Sequence, residues 1–455
     1  MSPVLNKGAN LGGNILLIGN GKIITNDGNH PFIENGAIYC KDGIIEKIGT
    51  TEELKKLYPN EEFIDVKNRV IMPGFINAHT HIYSAFARGM GVSKPTRNFM
   101  EILENQWWAL DKLLTVQDTK YNAFHTMIES VRNGVTTIFD HHASPYHIRE
   151  SLFTLAEAAK ELGIRGDFCY EVSDRDGEKI ADEGIRENIE FIKAYNDGSQ
   201  DMIHGHFGLH ASFTVSDQTM EKIKTQMEGL DAGYHVHTAE GIEDEYDSLK
   251  KYGKRVVERF QDWDILGPKT MAIHCCNVSA HEVNILRDTK TLAVHNPESN
   301  MGNAVGVTPV LQMLDKGITL GLGTDAYTND MFESIKVAKI LQRHHHADPT
   351  VGFGQSLTMQ LENNPKITGA FFDKELGVLK EGSYADIITL DYKPYTPLNE
   401  NTIGGHILFG MSGRMVNDTI INGKFVMKDR EIVTVDEDKI FAESMKRAPE
   451  IWKEL

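Results

Sequence analysis

Cysteine is scarce in this chain, with four in 455 residues, and two of them, Cys275 and Cys276, are neighbours. No CxxC spacing occurs, which excludes a disulfide framework or a zinc knuckle and points to a reducing compartment. No apolar run reaches the roughly 20 residues that cross a bilayer. The start, MSPVLNKGANLGGN, lacks the charged flank and apolar core of a secretion leader. Together these absences predict a cytoplasmic protein. Basic charge is also short, 47 residues against 65 acidic ones for a net −18. That excess repels phosphate backbones and anionic lipid, so neither nucleic acid nor a membrane surface is an expected partner. A small neutral or cationic substrate suits it better. A dinucleotide fingerprint is missing too, since Gly89-Met90-Gly91 is too short and lacks the strand-turn-helix setting. No internal repeat or low-complexity segment appears.

What the chain has in quantity is ordinary globular material, 40% apolar and 25% charged, enough for a large core. Residues 14 to 70 alternate apolar and polar positions between Asn-Gly and Asp-Gly turns, and the same texture returns from about residue 383 to 436. The middle instead alternates short strand-like runs with longer helical patterns. The runs are Val70–Ile76, Val135–Phe139, Gly166–Tyr170, Met202–Leu209, Gly233–His237, Met271–Cys275, Leu292–His295 and Ile318–Leu322. Eight strands with intervening helices predict an α/β fold, a closed (β/α)8 TIM-like barrel over residues 71–378. The β-rich ends, 1–70 and 379–455, predict a small β-sandwich domain built from both, with a C-terminal helix.

The polar residues at the run ends support this. In order the runs close with NAHTH, DHH, YEVSD, GLHAS, HVHTAE, HCCN, HNPES and GTDAY, so nearly every strand delivers a His, Asp or Glu to the face where such barrels carry out catalysis. In MPGFINAHTH, His79 and His81 share one face of a strand and can chelate one metal. His237 ends the fifth run and Asp325 the eighth. They add a third nitrogen and a carboxylate, a donor set that suits zinc or ferrous iron.

Several stretches in the same order, MPGFINAHTH, NGVTTIFDH, HVHTAE, IHCCNVS, HNPESNMG, LGTDAYTND and GVLKEGSYADIITLD, resemble the amidohydrolase superfamily. Within it the chain is similar to the aminohydrolase branch of guanine, cytosine and S-adenosylhomocysteine deaminases and triazine chlorohydrolases, and most of all to the SsnA-type aminohydrolases. The resemblance implies metal ligands at His79, His81, His237 and Asp325, with Asp325 also acting as a base. It implies a proton shuttle at Glu240, a histidine beside the reactive water at His274, and a substrate contact at His210. The last sits in Leu209-His210-Ala211-Ser212 where the family often has Pro-His-Ala-Pro. It also implies a homodimer. Binuclear relatives bridge two ions with a carboxylated lysine on the fourth strand, but MIHGHFGLHASF has no lysine, so one divalent ion is expected, zinc first and ferrous iron second.

The expected reaction is hydrolysis of an exocyclic C–N bond of a small, purine-like nitrogen heterocycle with release of ammonia. The alternatives are cyclic-amide hydrolysis or chloride displacement on the same mononuclear centre, and a metal-binding relative without turnover. Arg88, Gln106, Trp107 and Trp108 follow the first strand and are candidates to line the pocket, Arg88 and Trp107 foremost, although the tryptophans could equally anchor the next helix. His141 and His142 are read as pocket lining or a solvated loop. His204 and His206 are read as barrel filling, Cys275-Cys276 as packing on opposite strand faces, and His344 to His346 as the end of a helix.

Overall fold

A computed structural model describes residues 14–91 and 93–455; the leader reading made on the N-terminal stretch falls almost wholly on residues outside that range. Among the described residues no helix is long and apolar enough to cross a membrane.

Two sets of parallel strands carry the middle of the chain. The first runs Phe75–Thr80, Val135–His142, Arg165–Tyr170 and Ile203–Gly205, and the second Phe207–Ala211, Tyr234–Thr238, Met271–His274, Leu292–His295 and Leu320–Leu322. Parallel neighbours need a crossover, and helices such as Val116–Arg132, Ser151–Leu162 and Glu178–Tyr195 supply it. Their apolar faces are buried against the strands, with Met127, Leu155 and Phe191 at or below 1% exposure. Isolated parallel bridges join the two sets at both margins, Thr80 to Asp325 and Val172 to Leu209.

A nine-stranded, mostly antiparallel sheet unites the two ends of the chain. Val70–Pro73 lies in it between the N-terminal strand Ile15–Ile24 and the C-terminal strand Ile387–Leu390, with Ile71 opposite both Ile23 and Thr389. A separate apolar cluster, including Ile18, Ile38, Ile71, Ile387 and Ile420, fills it. Ile44 bridges Tyr384, and Ala385 N–H donates to the Gly43 carbonyl, so the sheet's far margin returns toward its C-terminal part.

The structure divides the first apolar run. Val70–Pro73 belongs to the antiparallel sheet and the parallel strand begins at Phe75. Gly74 is the joint. A Cβ there would come within 2.2 Å of Thr136 Cγ2, and its N–H donates to the Asp386 carbonyl at 3.0 Å. The fourth run divides likewise, at His206. Met271–Cys275 ends one residue early, because His274 and Cys275 adopt φ of 70° and 53°, so the alternation that would send the two cysteines to opposite faces stops before them. Cys275 is nonetheless fully buried, and burial raises both thiols far above their usual pKa, as inert packing residues require.

Candidate metal centre and active site

The first parallel strand enters the site under tight backbone control. Thr324 and Asp325 N–H both donate to the His79 carbonyl, at 3.0 and 2.9 Å. Thr80 Oγ1 donates to the Asp325 carbonyl at 3.1 Å. The first and last parallel strands are thereby clasped together where their polar side chains emerge.

The orientations of three rings follow from their outer nitrogens. His81 Nδ1 donates to the His141 carbonyl at 2.6 Å, and His237 Nδ1 donates to the His210 carbonyl at 2.8 Å. Those protons are committed, so the two Nε2 atoms, 3.2 Å apart, face each other with lone pairs. His79 Nδ1 shares a proton with His235 Nε2 at 2.9 Å, and His79 Nε2 is buried with no hydrogen-bond partner among the described residues. One ring nitrogen from each of His79, His81 and His237 falls within a 4.8 Å cluster. Lone pairs turned on one another in a dry interior are costly. Burial, reinforced by neighbouring rings, lowers the pKa of His79 and His237. The rings are therefore neutral donors to a cation. A contact of 3.2 Å is also about the span between two nitrogens bound to one zinc at roughly 2.0–2.1 Å. The residues present fit a divalent metal.

Around that point stand three more groups. Asp325 Oδ1 is 3.4 Å from His81 Nε2, and its Oδ2 is 3.4 Å from His274 Nε2. His274 Nε2 is also 3.4 Å from Glu240 Oε2. The two carboxyls are pushed apart in acidity. Burial, and then the Asp325 charge, hold Glu240 well above the usual carboxylate range. Burial also pushes Asp325 up, but His81, His274, the Ser299 hydroxyl and the Ala326 N–H outweigh it and leave Asp325 below its ordinary value. Ser299 Oγ donates to Asp325 Oδ2 at 2.7 Å, and Ala326 N–H to Oδ1 at 2.6 Å. One acid and one base on either side of a histidine is the arrangement proton transfer needs.

These side chains hang on strained backbone. Ala239, His274 and Asp325 have φ of 47°, 70° and 54°, a region costly for residues other than glycine. Asp244 compensates next to Glu240, accepting from Ala239 N–H and Phe213 N–H at 3.0 Å each. Asn277 Nδ2 donates to the Glu240 carbonyl at 2.6 Å. His274 Nδ1 donates to Asn300 Oδ1 at 2.7 Å.

The site opens through a small inner compartment into an outer cavity of about 640 Å³. His210, Trp107, Trp108 and Glu171 line the inner compartment with His81, His237, Glu240 and Asp325. Trp107, Gln106 and Arg88 line the outer cavity. Arg88 is bound to Glu129 at 2.6–2.8 Å and stands largely in solvent, apart from the inner group. His141 and His142, read from sequence as pocket lining or loop, are neither. Both end the strand Val135–His142 fully buried, and neither lines the two compartments. His204 and His206 pair with Asp201 at 2.8 Å and Asp167 at 2.5 Å, and His344 to His346 close a helix. A separate cavity of about 320 Å³, between Ile24, Met72, Phe75 and Ile407, is lined by none of these histidines.

Two groups escaped the sequence reading. Ser299 and Asn300 in HNPESNMG, and Asn303 just after it, brace Asp325, His274 and Glu240; the sequence pattern assigns these polar residues no role. Glu171 was visible as the acid of YEVSD but was given no task.

The Amidohydrolase family model matches residues 70–426. The chain belongs to the amidohydrolase family. It is 30% identical over 443 residues to a 5'-deoxyadenosine deaminase of Methanosarcina mazei, covering 96% of this chain and 98% of that one. It is 31% identical over 443 residues to a 5-methylthioadenosine/S-adenosylhomocysteine deaminase of Syntrophomonas wolfei, covering 95% and 98%. Among solved structures, an adenosine deaminase from Xanthomonas campestris with bound zinc superposes with a TM-score of 0.84 at 22% identity, covering 96% and 98%.

Proposed function

We propose that this protein is a metal-dependent aminohydrolase that deaminates a small, purine-like heterocycle. The observation that carries the reading is the pair of His81 and His237 Nε2 atoms facing at 3.2 Å with both outer nitrogens already bonded, beside an acid and a base of opposite acidity. The deaminase names of the two relatives and the zinc in the adenosine deaminase structure agree with it.

In this reading His79, His81, His237 and Asp325 hold one divalent ion, zinc before ferrous iron, which when bound supplies Lewis acidity and a water with a pKa near 7. Asp325 accepts the proton of the attacking water. Glu240, kept protonated by burial, delivers its proton to the ring nitrogen of the N=C–NH₂ unit as the carbon becomes tetrahedral. His274, with its Nδ1 held by Asn300, steadies the attacking oxygen through Nε2 while the proton taken up by Asp325 passes to the amine, the C–N bond breaks and ammonia leaves. His210 and Trp107 contact the ring, and Arg88 faces a distal part of the substrate in the outer cavity.

The same reading makes the two parallel sheets one closed (β/α)8 barrel, supported by the bridges at Thr80 and Val172. It makes the antiparallel sheet a small β-sandwich domain, supported by the Ile44–Tyr384 bridge. The units are 1–70, 71–378 and 379–455, with the first boundary moved to Gly74 by the strand break. A cytoplasmic homodimer completes the proposal. The test is metal content of the purified full chain together with ammonia release from guanine, adenosine, S-adenosylhomocysteine, cytosine, pterins and aminotriazines. One ion per chain and ammonia from a purine-like ring is the expected result. One ion with product but no ammonia would move the assignment to cyclic-amide hydrolysis or chloride displacement.

A further inference from the structure

The ring of His141 fixes where a proton sits beside the inner compartment. Its Nε2 lies 3.0 Å from two carbonyl oxygens, those of Leu209 and His235, so Nε2 carries a hydrogen. Its Nδ1 is 3.1 Å from Glu171 Oε2. One proton lies between them, either on Glu171 as a neutral acid or on His141 as an imidazolium. In both forms the second carboxyl oxygen, Oε1, is an acceptor with no hydrogen to give. No protein group among the described residues bonds to it, and Glu171 lines the inner compartment.

His210 presents the same polarity by a different route. The Thr214 hydroxyl donates to the Ala211 carbonyl at 3.3 Å, leaving its oxygen to accept from His210 Nδ1 at 2.7 Å. With its hydrogen on Nδ1 and bonded to Thr214, the neutral ring has an acceptor at Nε2. A carboxyl oxygen of Glu171 and a ring nitrogen of each of His210 and His237 lie within 4.8 Å of one another. Glu171 and His210 therefore offer two acceptors side by side on one wall.

We propose that Glu171, seconded by His210, is the specificity-determining residue of the pocket, and that it reads a ring N–H on the edge of the substrate. The inference rests on the aminohydrolase reading and narrows it to aminoheterocycles that keep a ring N–H, as guanine does at N1 beside its amino-bearing carbon. Adenosine has no ring N–H. It would turn acceptors toward the buried acceptors of Glu171 and His210, a mismatch that discriminates by orders of magnitude. Arg175 keeps the wall in place: it is ion-paired with buried Asp111 and lies over the Trp108 ring, 4.9 Å from its centroid.

The test uses the metal-loaded full chain and three probes, guanine, 1-methylguanine and adenosine, with binding followed by calorimetry and turnover by ammonia. Wild type should bind guanine about 10- to 100-fold more tightly than 1-methylguanine, and adenosine more weakly than guanine. E171L should raise KM for guanine by a similar factor, leave kcat within a few-fold and bring guanine and 1-methylguanine level. E171Q should restore the preference, because its amide can donate to His141 Nδ1 and leave its oxygen toward the ring. Metal content should be one ion per chain in all three proteins. Equal binding of guanine and 1-methylguanine by wild type overturns the proposal, a comparison that requires no variant to fold. An unchanged preference in E171L, a preference for adenosine, no binding of any probe, or a second ion lost in E171L overturns it as well. Binding preference without ammonia supports this inference and counts against the deaminase reading. Ammonia from adenosine with no N–H preference does the reverse.

Discussion

Arg165 begins the third parallel strand and Glu171 follows its end, and the buried polar groups at these two ends are satisfied in opposite ways. At the start, Arg165 Nε meets Asp386 Oδ2 at 3.3 Å, Nη1 donates to the Asp201 carbonyl at 2.5 Å, and the guanidinium lies 4.1 Å over the Tyr384 ring. Asp386 also accepts from Asn422 N–H at 2.8 Å. The protein itself pairs these charges, and the result binds the antiparallel sheet to the parallel strands. At the other end, His79 Nε2 and His274 Nε2 have no hydrogen-bond partner among the described residues, and His81 and His237 face each other. A fully paired buried cluster is a fastening. A cluster left short of partners, on backbone of positive φ, is built to be completed by something else.

The sharpest way to break this contrast is at Glu240. E240Q should lower turnover by about 10²- to 10⁴-fold while leaving metal content and thermal midpoint nearly unchanged, as paired metal analysis and kinetics would show. Unchanged turnover would sink the proton-shuttle role. R165M should do the opposite. Leaving Asp386 buried without its partner should cost about 3–5 kcal/mol in denaturant unfolding, with activity per folded molecule intact.

Removing the ion tests the same contrast from the ligand side. Chelation should lower stability by about 2.7 kcal/mol relative to protein held in ion at 100 times its dissociation constant. In the metal-free state H81N should cost nothing or slightly stabilise, because it relieves the facing lone pairs, whereas with the ion present it should destabilise. A loss of similar size in both states would mean that the cluster is self-sufficient.

A further contrast lies in the response to pH. Burial lowers His142 to about 3, below its unfolded value of about 6.5. As pH falls through 6.5 the unfolded chain takes up a proton that the folded chain refuses, so His142 costs stability between about pH 6.5 and 3, by about 1.4 kcal/mol per unit. The stability difference between wild type and H142N should therefore shift by that slope against wild type from pH 6 to 4. A flat difference would mean that His142 titrates normally.

How far the sequence could be read depended on whether a residue's meaning lay near it in the chain. His79 and His81 were legible because a spacing of two puts side chains on one face, and His237 and Asp325 because polar residues ended apolar runs. The alternating texture at both ends marked the antiparallel sheet. Glu171 was not legible as a reader, because its role comes from His141 on the neighbouring strand and the two carbonyls that fix that ring. The break at Gly74 was hidden inside a continuous apolar run, since the Thr136 side chain that leaves no room for a Cβ there is distant in sequence. The strand end at His274 was concealed for the same kind of reason: its left-handed turn is set by tertiary contacts that no local pattern announces.

The position of Val70–Pro73 also bears on how the chain comes off the ribosome. One margin of this Val-Ile-Met strand pairs early, with the N-terminal strand, but the other waits for Ile387–Leu390, more than 300 residues further along the chain. Throughout the synthesis of the catalytic middle, an apolar strand edge directly joined to His79 and His81 stays open to wrong partners. It is covered only once the chain beyond that middle has been made.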